Sequence, residues 1–63
     1  MFKDGDIVRY IGWYHGIDLY PGTVGKIYMI FPDKDYCNVE FGKLGTISVY
    51  LKDLALAPDS EVN

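Results

Sequence analysis

His15 stands three residues before Asp18, a spacing at which a carboxylate can orient an imidazole and make it a candidate general base. General-base chemistry also needs a nucleophile or a bound substrate within reach, and neither Ser48 nor Cys37 has a visible partner for that role. The plainer reading is a loop histidine titrating near its ordinary value of about 6.5. Cys37 alternates with Val39 and Phe41, which fits a small buried hydrophobe better than an exposed thiol in electropositive surroundings. With one cysteine and one histidine, the chain has no Cys/His spacing for a structural zinc and can form no internal disulfide. The expectation is a non-enzyme with no metal and no cofactor.

The residues with more to offer are aromatic. Gly12 to Gly22 reads Gly-Trp-Tyr-His-Gly-Ile-Asp-Leu-Tyr-Pro-Gly, far from the usual polar loop. Trp13, Tyr14 and Tyr20 suit either of two roles: a minicore capping the end of a barrel, or a stacking and hydrogen-bonding surface for a partner. Converging rings with a nearby acid such as Asp18 are what a methylated-lysine cage requires, whereas rings set among cations make a platform for single-stranded nucleic acid. The candidate partner-binding set is Trp13, Tyr14, His15, Asp18 and Tyr20 from this loop, with Tyr36 and Tyr50 outward on neighbouring strands.

The elements that must position these residues follow from punctuation. Gly5-Asp6, Tyr20-Pro21-Gly22, Pro32-Asp33-Lys34-Asp35 and Gly42-Lys43-Leu44-Gly45 divide the chain into short runs rich in Val, Ile, Tyr, Phe and Thr, the residues of a pleated, half-buried surface. Strands are expected at residues 6 to 11, 23 to 31, 36 to 41, 46 to 50 and 54 to 57. In the first, alternation separates Ile7, Arg9 and Ile11 from Val8 and Tyr10, and either set can face the core. Gly25 is a candidate for a bulge or sharp bend. In the third, Cys37, Val39 and Phe41 are inward and Tyr36, Asn38 and Glu40 outward, because a one-residue slip would bury Glu40. Ile47 and Val49 share a face of the fourth. Leu51 to Leu54 reads as one helical turn, and Pro58 ends the structure. One domain over residues 1–58 and a frayed polar tail over 59–63 are expected.

Composition bounds the partners. The chain has 63 residues, 49% of them hydrophobic and 16% aromatic. A chain of about 60 residues buries only roughly 60% of the surface its unfolded form exposes, so aromatic burial must replace the missing disulfides and metals. Nine acids against six bases give a net charge of −3, and the bases are spaced singly. Backbone-tracking nucleic-acid binding needs clustered cations. The start Met1-Phe2-Lys3-Asp4 lacks the positive region and apolar stretch of a signal peptide, no apolar run approaches the roughly 20 residues of a membrane span, and the free thiol favours the cytoplasm.

Five short strands, a long first connection, two hairpins and a helical turn before the last strand describe an all-β, five-stranded SH3-like barrel. Gly5-Asp6-Ile7-Val8-Arg9-Tyr10, Pro21-Gly22-Thr23-Val24-Gly25-Lys26-Ile27, Val39-Glu40-Phe41 and Leu51-Lys52-Asp53-Leu54-Ala55-Leu56 resemble the small SH3-like barrels that include the KOW-type modules of ribosomal and transcription proteins. The resemblance covers about residues 4 to 57. It implies binding of RNA or protein rather than catalysis. Two functions are expected from different classes: a small protein-interaction module, of the accessory or regulatory kind that phage-encoded modulators exemplify, and a KOW-like nucleic-acid-associated module using Arg9, Lys26, Lys43 and Lys52. A third possibility is self-association through an open edge strand.

Overall fold

A computed structural model of the chain describes residues 2 to 14, 16 and 18 to 57. Five antiparallel strands form one sheet: β1 (Ile7–Tyr10), β2 (Val24–Ile30), β3 (Tyr36–Glu40), β4 (Thr46–Tyr50) and β5 (Leu54–Leu56). Their spatial order is β4-β3-β2-β1-β5. No ladder joins β4 to β5 among the described residues, so the sheet has an edge at each. Among the described residues helical content is limited to two 3-10 turns, Gly42–Leu44 and Leu51–Asp53. The second is the helical turn that the sequence predicts before the last strand. The anticipated tail, residues 59–63, and the Pro58 stop lie outside the described residues.

Each strand forms where alternation and turn residues agree. The β2–β3 hairpin turns at Pro32 to Asp35, closed by the Lys34 amide donating to the Phe31 carbonyl at 3.0 Å. On β3, Cys37 and Val39 are fully buried and Glu40 is exposed, as the alternation demands. The ambiguity in β1 resolves toward Val8 and Tyr10, which are buried, while Ile7 and Arg9 are half-covered and Ile11 is exposed. The core unites these side chains with Leu19, Ile27, Phe41, Val49 and Leu54, and Phe2, Ile30, Leu44, Ile47 and Leu51 pack against it.

The bulge is not at Gly25. Ile27 pairs with Val39 but Met29 pairs with Asn38, which leaves Tyr28 as the extra residue on β2. An extra residue reverses the alternation beyond it. Ile30 therefore turns onto the core and Met29 faces out, 41% exposed. Gly25 serves close approach instead: a Cβ there would lie 2.6 Å from the Glu40 carbonyl oxygen and 2.7 Å from the Phe41 ring. Beyond the start of β1, Asp4 stands in for the missing strand. Its carboxylate accepts from the Ile30 amide at 3.0 Å, while Asp6 and Gly5 exchange backbone bonds with Ile27.

Candidate functional site

The long connection leaves β1 through Gly12 and returns to β2 through a turn at Tyr20-Pro21-Gly22-Thr23. Gly22 has φ +100°, a value that favours glycine at the third position, and proline suits the second. The turn closes with the Thr23 amide and hydroxyl both donating to the Tyr20 carbonyl, at 3.1 and 2.7 Å. Tyr10 anchors the base of the loop three times. Its amide donates to the Thr23 carbonyl, its carbonyl accepts from the Gly22 amide, and its phenol donates to the Trp13 carbonyl at 2.7 Å.

That anchoring sorts the apolar residues of the loop. Leu19 is fully buried among the core side chains, whereas Trp13 is 90% exposed. Tyr14 and Tyr20 are each about half exposed and stack on one another, ring centroids 4.6 Å apart and planes 20° from parallel. Rings at that separation fill the space between themselves, so the pair presents one thick aromatic ridge rather than a slot. Asp18 is exposed and has φ +66°, a left-handed conformation that Asp tolerates better than most residues. His15 lies outside the described residues, and the expected His15–Asp18 pairing with it.

Tyr36 and Tyr50 occupy a second surface. They sit directly opposite one another across the β3–β4 ladder. Phe31 lies beside Tyr36 at 5.3 Å between centroids, and the Lys52 ammonium stands 5.6 Å from the centre of the Tyr50 ring. A lysine at that distance from a ring is a cation–π contact. Tyr36, Ser48, Val49 and Tyr50 line an open groove of about 310 Å³. On the neighbouring rung the Ser48 hydroxyl donates to Asn38 Oδ1 at 2.7 Å. Its proton is thus engaged with an amide and not with a base.

The 3-10 turn Leu51–Asp53 ties the two surfaces together. Its Leu51 amide donates to the Asp35 carbonyl, and its Asp53 carbonyl accepts from the Ile11 amide. A Cβ on Gly12 would come within 2.8 Å of the Asp53 carboxyl carbon, so the loop passes close over this turn. Burial and the nearby Asp53 charge push the Tyr10 phenol above its ordinary value. The Cys37 thiol is also raised, by burial first and by Asp4 second, which suppresses the thiolate on which cysteine reactivity depends.

Sequence reasoning brings together Trp13, Tyr14, Tyr20 and Asp18 in one loop, and Tyr36 with Tyr50 across one ladder. It misses Phe31 as the neighbour of Tyr36, the Lys52 contact with the Tyr50 ring, and the outward turn of Met29. The lost signal is the bulge at Tyr28, which no residue type announces and which moves Met29 to the outer face. Among the described residues no three His, Cys, Asp or Glu side chains converge as a metal site, and no helix is long and apolar enough to cross a membrane. In comparisons with protein-family models, curated proteins and solved structures, nothing matches this chain.

Proposed function

We propose that this chain is a small protein-interaction module that docks a protein partner through its first loop, with Trp13 as the anchor. The single observation that carries the reading is the contrast within that loop. Leu19 and Tyr10 hold the backbone against the core, and Trp13 is left 90% exposed. Tryptophan and tyrosine on a rigid base are the residues that dominate binding energy at protein interfaces, because they bury a large area at low cost in rotamer entropy. The Tyr10 hydroxyl bond to the Trp13 carbonyl fixes the backbone from which the ring projects, which lowers the ordering cost on binding.

The strand order, the long first connection and the 3-10 turn before β5 support assignment to the SH3-like barrels, and such a module acts as an accessory or regulatory subunit rather than as an enzyme. The net charge of −3 and the single spacing of the bases favour a protein over nucleic acid as its partner. The test is comparative capture. Wild-type protein and Trp13→Ala are used as baits in native lysate, at low and high salt and with nuclease. A protein retained by the wild type at high salt and lost with Trp13→Ala is the expected result. Capture that disappears with nuclease or salt, and is indifferent to Trp13, would replace this reading with the KOW-like one.

A further inference from the structure

The two sheet edges are protected unequally. β5 has three residues, and an edge that short offers little to pair with. β4 has five residues, Thr-Ile-Ser-Val-Tyr, and among the described residues it pairs only with β3. It carries no lysine, proline, bulge or charged side chain, the devices by which edge strands resist pairing. Its outward hydrogen-bonding groups can be assigned from the ladder ends. The Phe41 amide donates to the Gly45 carbonyl, and the Leu51 amide donates to the Asp35 carbonyl. In an antiparallel ladder the bonded positions alternate, so Gly45, Ile47, Val49 and Leu51 bond β3. The amides and carbonyls of Thr46, Ser48 and Tyr50 then face away from it.

We infer that β4 is a homodimerisation edge, on which a second copy of this chain pairs antiparallel with Ser48 on the two-fold axis. That register sets Ser48 opposite Ser48 of the other copy and Thr46 opposite Tyr50. All three outward positions then meet outward positions, and no donor is left facing a side chain. The faces agree as well. Ile47, which is half-buried against the core, and Val49, which is buried, come opposite one another on the core side. Thr46, Ser48 and Tyr50 align on the outer side beside the groove. A strand whose alternation is centred on its own middle residue is complementary to itself. No residue of β4 itself is charged, the Lys52 ammonium over the Tyr50 ring stands at the end of the seam, and the net charge of −3 on each copy opposes association in a way that salt screens. The surface is separate from the Trp13 loop, and the inference stands whether or not that loop binds a partner.

Sedimentation equilibrium on the wild type, Ser48→Lys and Leu56→Lys tests the assignment. The wild type is expected to dimerise with rising concentration, no less tightly as salt is added. Ser48→Lys places like charges face to face and is expected to weaken association by about tenfold or more, while Leu56→Lys on the opposite edge leaves it unchanged. Amide hydrogen exchange on the wild type gives a readout independent of any variant's folding: protection of the Thr46, Ser48 and Tyr50 amides should rise with protein concentration. A wild type that stays monomeric at millimolar concentration overturns the inference. So does a dimer that survives Ser48→Lys or that Leu56→Lys dissociates.

Discussion

β3 and the first loop are both rich in apolar side chains, yet they dispose of them by different physics. On β3 a period of two sorts every residue at once: Cys37 and Val39 go in, and the residues between them go out. The loop has no period. Its side chains are placed individually by the Pro21-Gly22 turn and the three Tyr10 hydrogen bonds, with Leu19 inward and Trp13, Tyr14 and Tyr20 outward. A loop can thus belong to the core through one residue and to the surface through the next. Neither the capping nor the exposed role describes this loop whole.

Leu19→Ala removes the one loop side chain that is fully buried among the described residues. Truncating a fully buried leucine costs about 2–5 kcal/mol, a large part of the roughly 3–5 kcal/mol that one small core supplies. Urea denaturation is expected to find the variant largely unfolded or close to it. A loss below about 1 kcal/mol would mean that the loop is draped over a core complete without it.

Tyr10→Phe has a smaller expected effect and a distinct pH signature. It removes the bond to the Trp13 carbonyl, a loss of about 0.5–1.5 kcal/mol near neutrality. In the wild type, burial and Asp53 raise the Tyr10 phenol, so the folded state favours the neutral form. The resulting stability is fully present below the unfolded-state value and is lost as pH rises through the folded one. Cys37 follows the same sign. Stability measured by denaturation should therefore fall above about pH 8.5–10, where free thiols and phenols ionise. Tyr10→Phe should fall less steeply, and an identical slope would remove Tyr10 from the account.

Trp13→Ala is expected to have the smallest effect on folding. An exposed side chain away from caps and turns contributes within about ±0.5 kcal/mol, so the melting temperature should stay within about 4 °C. A larger drop would make Trp13 part of the core and close the gap between the two regions.

The all-β class and five strands were legible because the punctuating residues are strong local signals. Strand ends differ from expectation by a residue or two where pairing stops early, as at Asp6 and Ile11. The 3-10 turn before β5 was readable in Leu51 to Leu54, and the fixed face of β3 was readable in Glu40. Two things were not. The Tyr28 bulge depends on how β2 meets β3, a non-local matter that Gly25, a candidate for a bulge or a bend, does not mark. The inward turn of Leu19 joins it to core residues far from it in the sequence, and no periodicity in the loop announces it. In the candidate site, residue type marked Trp13, Tyr14 and Tyr20 as notable, but exposure was decided by backbone bonds that sequence does not display.

The exposure of Trp13 has an optical corollary. It is the only tryptophan in the chain, and its indole meets water in the native state much as it would in an unfolded one. Its fluorescence is therefore a poor witness to unfolding and a sensitive witness to contact. Denaturation should leave the emission maximum nearly still, whereas any molecule that covers the loop should move it toward the blue. The protein thus carries a built-in reporter at the position proposed to touch its partner, silent about the fold and responsive to company.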